Sequence, residues 1–404
     1  MDIKPLYDKY HNYAISCNIK DKFKINKYMI GSGGSENIII ELFDKDGTSL
    51  IFKIIPDMVM INVKVKPDVA LLEIKFYQFF TKKYILTDRT PHIVAIYNHQ
   101  QCPNLRKTLQ NIKPGKKNCQ PYKKLLLTPI QSQSSEKKIC DLILKYDNGL
   151  VNPVFDMLLL ENCPLSFSDL LEYYMFMIHN SSGKTQKINI NKFLLELDRS
   201  LFQLIFTLAI IKDDYPGFYH GDFFARNILG VIEKNYNSND YVAYHYKQKI
   251  FYLKANGPYL KINDFGLTVI ANELEPNVFG LTEKIRKFFN INPFNKKTEI
   301  FNILHDIYDG QNFGTKSIIR LAEEYKLTKN KIKPIRNYLK KFINVDMIDK
   351  INTINPGLLG EIWHIDDINV LENTVKTPRQ YLMGKYFAEL QNLPKNATIV
   401  KHYN

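Results

Sequence analysis

His220-Gly221-Asp222-Phe223-Phe224-Ala225-Arg226-Asn227, followed by Ile228-Leu229, is the stretch on which the reading of this chain turns. Downstream stands Lys261-Ile262-Asn263-Asp264-Phe265-Gly266-Leu267, a D-F-G inside an apolar, strand-like run. The first stretch has the spacing H-x-D-x-x-x-x-N. Phosphoryl transfer from Mg-ATP needs one carboxylate at the acceptor hydroxyl and two oxygen ligands on the metal. Asp222, Asn227 and Asp264 are the right residue types in the right order for those tasks. A D-F-G alone recurs by chance, whereas the octet, its Ile-Leu pair and the D-F-G together are specific.

Upstream, Ile30-Gly31-Ser32-Gly33-Gly34-Ser35-Glu36-Asn37-Ile38 lies between two strand-like runs. Glycines there let backbone N–H groups approach phosphate oxygens without a side chain in the way. Taken alone the stretch reads as a hairpin turn; its place before the next pair makes it a candidate phosphate loop. Lys53 interrupts Leu50-Ile51-Phe52-Lys53-Ile54-Ile55. A buried ammonium needs a partner, and Glu73, in the following helical stretch, can supply one. Such a pair would present Lys53 to the α- and β-phosphates.

The chain has 404 residues, long enough for two sizeable cores, and 45% hydrophobic residues, a globular composition. No apolar run approaches the ~20 residues that span a bilayer. The polar start, Met1-Asp2-Ile3-Lys4-Pro5, lacks the apolar stretch of a signal peptide. The expectation is a cytoplasmic or virion-associated protein that is not secreted. Cysteines stand at 17, 102, 119, 140 and 163 with no C-x-x-C pair, so zinc is not expected and free thiols are. Lys plus Arg number 55 against 41 Asp plus Glu, a net charge of +14. That balance favours acidic partners, nucleic acid or another acidic surface among them, although a Lys- and Asn-rich composition also follows from AT-rich coding DNA.

Alternation from Tyr28 to Ile55 predicts two or three antiparallel strands, and Pro67 to Lys83 a helix. His92–Tyr97 and Val154–Leu160 read as further strands. Between them, residues 101–138 are rich in Lys, Asn, Gln, Ser and Pro and read as an inserted basic loop. After Glu161 the character changes to long amphipathic helices, Ser166–His179 and Asn191–Ile211, and a boundary falls at 161–165. Ser238–Asn256 is a Tyr- and Lys-rich excursion between the two motifs. Pro378–Leu390 reads as a last helix.

These residues resemble those of a divergent eukaryotic-type protein kinase, most similar to the serine/threonine kinases of poxviruses and other large DNA viruses. The resemblance runs from about Tyr28 to Leu390 and implies an α+β, two-lobed protein-kinase-like fold. Its small lobe would be an antiparallel sheet with one main helix, and its large lobe mostly helical. Residues 1–27 would be an N-terminal extension, 28–161 the small lobe carrying the 101–138 insertion, and 162–404 the large lobe. The implied cofactors are ATP and Mg²⁺. Gly31, Ser32, Gly33, Gly34 and Ile38 would line the nucleotide, Lys53 would pair with Glu73, and the main chain of Glu161 and Cys163 would hold the adenine. Asp222 would be the catalytic base, Arg226 a stabiliser of the migrating charge, and Asn227 and Asp264 the metal ligands. Thr377 to Phe387 resembles the closing helix of the large lobe.

Four departures qualify the resemblance. Glu36 stands where the third glycine of the phosphate loop belongs. Gly221 replaces the usual arginine that meets an activation-segment phosphate, so activity independent of that phosphorylation is expected. Phe224 replaces the lysine of serine/threonine kinases, and Arg226 sits where many tyrosine kinases carry arginine; the acceptor is still expected to be Ser or Thr on a protein substrate. No Ala-Pro-Glu follows Asp264, so 272–297 would be an atypical activation segment, with Glu299, or less strongly Asp306, standing for the buried anchoring aspartate. His-Gly-Asp also resembles phosphotransferases acting on choline or aminoglycosides, though a +14 chain argues against a cationic acceptor. An inactive kinase-fold scaffold is the other alternative, against which Lys53, Asp222 and Asp264 all stand.

Overall fold

The computed structural model describes residues 3–12, 17–28, 37–58, 69–112, 135–233, 235–270, 297–309, 316–346, 348 and 374–404. The chain divides into two compact units, one of Asp2–Thr81 with Val94–Asn162, the other of Lys82–Ile93 with Cys163–Asn404. The fold is mixed α and β.

The first unit is built on a five-stranded antiparallel sheet. Its strands are β1 (Lys24–Tyr28), β2 (Ile38–Phe43), β3 (Ser49–Met58), β4 (Ile96–Cys102) and β5 (Val151–Glu161), in the order β1-β2-β3-β5-β4. The alternation in β2 buries Ile38, Ile40 and Leu42 against Leu50, Phe52 and Ile54 of β3. A side chain such as Phe52, fully buried, contributes about 1.5–3 kcal/mol. Helix α1 (Lys4–His11) packs on β4, and α2 spans Val69–Phe80.

Two expectations are corrected here. Part of the expected insertion is a helix, α3 (Leu105–Ile112), because Leu105, Leu109 and Ile112 recur at helical spacing and are buried. A second helix, α4, spans Ser135–Asp147; the stretch 113–134 lies outside the described residues. The cysteines are not all free thiols: Cys17 and Cys102 form a disulfide with Cα atoms 5.8 Å apart, and Cys140 is also disulfide-bonded, whereas Cys163 is free and buried. Spacing along the chain gave no sign of the first bond, because α1 and the residues after it fold back onto β4.

The second unit is mostly helical. Short β6 (Leu165–Ser166) leads into α5 (Phe167–His179), whose first turn is closed by a capping box between Ser166 and Asp169. Helix α6 (Gly183–Asp214) follows; from Arg199 to Lys212 every residue is buried, which makes this half the core of the unit. Two strands, β7 (Phe218–Tyr219) and β8 (Ile228–Ile232), flank the octet. The Tyr- and Lys-rich excursion is a hairpin of β9 (Asp240–Tyr246) and β10 (Lys249–Lys254). Strand β11 (Pro258–Ile262) then pairs antiparallel with β8 and places the D-F-G directly after it, before β12 (Val269–Ile270). Helices α7 (Thr298–Asp309), α8 (Ile318–Glu324), α9 (Lys329–Leu339) and α10 (Pro378–Met383) come next. The expected last helix is shorter than its pattern, ending at Met383 before a separate turn at Ala388–Gln391. An unexpected strand, β13 (Thr398–Tyr403), pairs parallel with β9. His92 ties this sheet to β11, its Nδ1 lying 2.9 Å from the Leu260 carbonyl and its Nε2 3.0 Å from the Tyr244 hydroxyl.

Candidate active site

In the first unit, Lys53 lies in mid-strand, opposite Ile39 of β2 and Leu158 of β5. Its ammonium is buried, and an unpaired charge there would be costly. Glu73 of α2, also buried, meets it: Lys53 Nζ stands 2.5 Å from Glu73 Oε1. The expected pair is therefore present in space. Residues directly opposite in an antiparallel pair share a face, so Ile39 shares the face of Lys53. Ile38 pairs with Ile54, and its side chain is fully buried on the other face. Glu161 ends β5; its N–H donates to the Ala95 carbonyl at 2.9 Å and its Oε2 accepts from the Ala95 N–H at 3.2 Å. Its N–H is thus committed within the sheet. Gly31, Ser32, Gly33, Gly34 and Glu36 lie outside the described residues.

In the second unit, the octet is a loop between β7 and β8 that ends in a 3₁₀ turn, Ala225–Asn227. Asp222 is held through both carboxylate oxygens. Arg226 forms an ion pair with Oδ1, and Asn227 Nδ2 donates to Oδ2 at 2.6 Å and to the Asp222 carbonyl at 2.9 Å. The Arg226 guanidinium also lies over the Phe224 ring, 4.7 Å from its centroid. Flipping the Asn227 amide would set its oxygen against two oxygens, so the orientation is fixed and Oδ1 is left for a cation. Burial is the largest influence on Asp222 and raises its pKa above the usual carboxylate value. Arg226 and Asn227 oppose that rise, and the charge of Asp264 adds to it.

The octet and the D-F-G are bonded to one another. The Asn263 N–H donates to the Asn227 carbonyl at 3.0 Å. His220 Nε2 lies 3.1 Å from the Asn263 carbonyl, while its Nδ1 accepts from the Asp222 N–H at 3.3 Å. These contacts assign the proton to Nε2 of a neutral ring. Burial agrees with that, lowering the His220 pKa to about 4. Phe265 packs on the same imidazole with ring centroids 5.4 Å apart, and the Thr268 hydroxyl donates to the His220 carbonyl at 3.0 Å. Asp264 has φ of 64°, a left-handed conformation uncommon for a residue with a side chain. Such strain persists where surrounding contacts over-determine it, and it clusters at functional sites.

Beneath the loop, α7 supplies two fully buried carboxylates. Glu299 Oε1 accepts from the His220 N–H at 3.3 Å, and its Oε2 lies 2.8 Å from Lys212 Nζ. Asp306 Oδ2 accepts from the Ala225 N–H at 2.7 Å. The two residues that the sequence offered as alternatives both hold the loop. Lys212, Thr268 and the steric role of Gly221 were missed; the first is one more lysine at the end of an amphipathic helix, and nothing in its spacing marks it.

Two oxygen donors of the kind that hard cations prefer, Asn227 Oδ1 and the Asp264 carboxylate, thus belong to segments bonded directly to each other. Mg²⁺ fits this donor set, and a divalent ion would relieve the repulsion between Asp264 and Asp222. Among the described residues, no group of three or more His, Cys, Asp or Glu could hold a metal. No helix of the described residues is long and apolar enough to cross a membrane.

The chain is 47% identical over 405 residues to a protein of Acanthamoeba polyphaga mimivirus named as a putative serine/threonine-protein kinase, covering 100% of this chain and 99% of that one. A second mimivirus protein with the same kind of name is 29% identical over 137 residues, covering 33% of this chain and 26% of the other. No family model matches the chain.

Proposed function

The chain belongs to the family of viral serine/threonine-protein-kinase-like proteins that its mimivirus relatives represent, and from that premise we propose that it transfers the γ-phosphate of ATP to a Ser or Thr hydroxyl of a protein. The observation that carries this reading is the grip on Asp222: a carboxylate fixed through both oxygens, on a loop bonded to the segment that bears Asp264.

In this reading the two units are the lobes of a kinase. Asp222 would orient the acceptor hydroxyl and take its proton. Asn227 and Asp264 would hold Mg²⁺, which when bound with ATP neutralises charge on the phosphates. Lys53, kept in place by Glu73, would meet the α- and β-phosphates, and the main chain of Glu161 and Cys163 would receive the adenine. Arg226, ion-paired with Asp222, would position the base beside its expected part in stabilising the migrating phosphoryl charge. A raised Asp222 pKa suits a base that must accept a proton near neutral pH.

The test is phosphotransfer from labelled ATP, offered side by side to basic proteins, acidic proteins, choline and an aminoglycoside. We expect label on protein Ser or Thr. We expect Asp222→Asn to lower the rate by at least about 10²-fold, the usual worth of a general base. Asp264→Ala should abolish transfer with the circular dichroism spectrum unchanged. Label on the small molecules alone would replace the protein acceptor with a small-molecule one. Absence of label on every acceptor would leave a kinase-fold scaffold.

A further inference from the structure

Helix α9 and its flanks carry Lys326, Lys329, Lys331, Lys333, Arg336, Lys340 and Lys341, with no acidic residue between the first and the last. Four of these fall into one line. Residues 329, 333, 336 and 340 follow at steps of four, three and four, and at 3.6 residues per turn they occupy a wedge of about 60°. Lys340 continues the line because the C-cap keeps helical dihedrals, φ −56° and ψ −18°. Lys329, Lys333 and Lys340 are exposed and Arg336 is half-buried. The opposite side is committed to the core, with Ile335, Tyr338 and Leu339 buried. Among the described residues Lys326, Lys329, Lys331 and Lys333 meet no carboxylate. Among the described residues Asp346 answers the line, 3.0 Å from Arg336 and 2.8 Å from Lys340, and it is itself exposed. Glu323 and Glu324 close the preceding helix, α8. Exposed ion pairs of this kind are weak and exchangeable.

We propose that this stripe is a binding surface for the phosphodiester backbone of nucleic acid, a property separate from phosphoryl transfer. Cations recurring at each turn over about 16 Å of helix match a polymer whose charges recur evenly, which an acidic protein surface does not offer. An anionic membrane fits less well, since interfacial helices insert an apolar face and that of α9 is buried in its own unit. Three of the four cations are lysine ammoniums, point charges lacking the bidentate fork that reads bases, and the Arg336 guanidinium is half-buried against Asp346, so binding should be indifferent to sequence. Exposed Asn330 and Asn337 flank the line and can donate to phosphate oxygens. At its end the line reaches a cleft of about 350 Å³ whose walls carry Lys340, Lys341 and Lys376 against the single carboxylate of Asp346, a net positive continuation of the surface.

The experiment is fluorescence anisotropy with labelled 20-mer RNA and duplex DNA, without ATP, across a salt series. Four engaged cations predict a slope of log K against log salt of about −3 to −4 on duplex DNA. The triple variant Lys329→Gln, Lys333→Gln, Lys340→Gln should keep its thermal midpoint. It should lose at least about 30-fold in affinity near 50 mM salt and reduce the slope by about 0.9 for each charge removed. No binding by the wild type near 50 mM salt, or equal binding by the variant, would overturn the proposal. So would phosphatidylserine vesicles or polyglutamate binding as tightly as the oligonucleotides and losing affinity in the same variant. Because no turnover is read, the outcome stands apart from the kinase assignment.

Discussion

Gly221 shows what one residue decides. In sequence it is an absence, the place where related loops carry arginine. In the fold it is a requirement. Its φ is 81°, and a Cβ built there would stand 2.3 Å from the Leu267 carbonyl oxygen and 2.7 Å from the Leu267 Cβ. Neither backbone nor neighbour leaves room for a side chain, because the octet lies directly against the segment after the D-F-G. Gly221→Ala should lower unfolding free energy by at least about 1–3 kcal/mol, the cost of a left-handed non-glycine residue, and should reduce phosphotransfer with it. Gly221→Arg should do worse than alanine rather than restore a phosphate-binding arginine. Urea denaturation of both variants checks this, and a wild-type midpoint for either would contradict it. Asp222, Asn227 and Asp264 were legible as candidates because chemistry restricts residue type at fixed spacing. The reason for Gly221 was not, since the carbonyl that forbids a side chain comes from Leu267, which only folding brings there.

At the scale of elements, α7 organises the octet from below. Glu299 and Asp306 are seven residues apart, two helical turns, and so lie on one face. Glu299 compensates the buried ammonium of Lys212 as well as capping the His220 N–H, and Asp306 accepts from the Ala225 N–H. Removing one member of a buried ion pair costs about 3–5 kcal/mol, and orphaning a buried backbone donor about 1–3 kcal/mol. Glu299→Ala should therefore destabilise by about 3–5 kcal/mol and Asp306→Ala by at least about 1–3 kcal/mol, and both should slow turnover. A wild-type urea midpoint for either variant would refute its part in holding the loop. Helical periodicity announced α2, α5 and α6, but it misjudged where polar composition masks it. Leu105–Ile112 carries its buried side at helical spacing inside a Lys- and Asn-rich stretch. Strand β13 was also missed, because its partner β9 stands far away in sequence.

Over the whole molecule, buried histidines link stability to pH. His220 and His305 are fully buried, and burial lowers each pKa from 6.5 to about 4. Between those values the unfolded chain takes up protons that the folded chain refuses, so stability is complete above about 6.5 and is lost as pH falls toward 4. Each such histidine contributes about 3 kcal/mol across the window. Buried carboxylates work the other way: burial raises Asp222, Asp198 and Glu196, so their contribution declines as pH rises from their ordinary values toward the raised ones. The net profile mixes both signs, and His305 offers the means to separate them. Neither of its ring nitrogens has a hydrogen-bond partner among the described residues, and it stacks on Phe301 with centroids 5.8 Å apart. His305→Phe preserves that stacking, removes two unsatisfied polar atoms and removes one titration. At pH 7 the variant should match or exceed the wild type in unfolding free energy. As pH falls to 4 its advantage should grow by about 3 kcal/mol, while the carboxylate contribution cancels in the difference. Urea midpoints of the two proteins measured from pH 7 to pH 4 decide it. A constant difference would mean that the His305 ring is charged, or reached by water, in the folded chain.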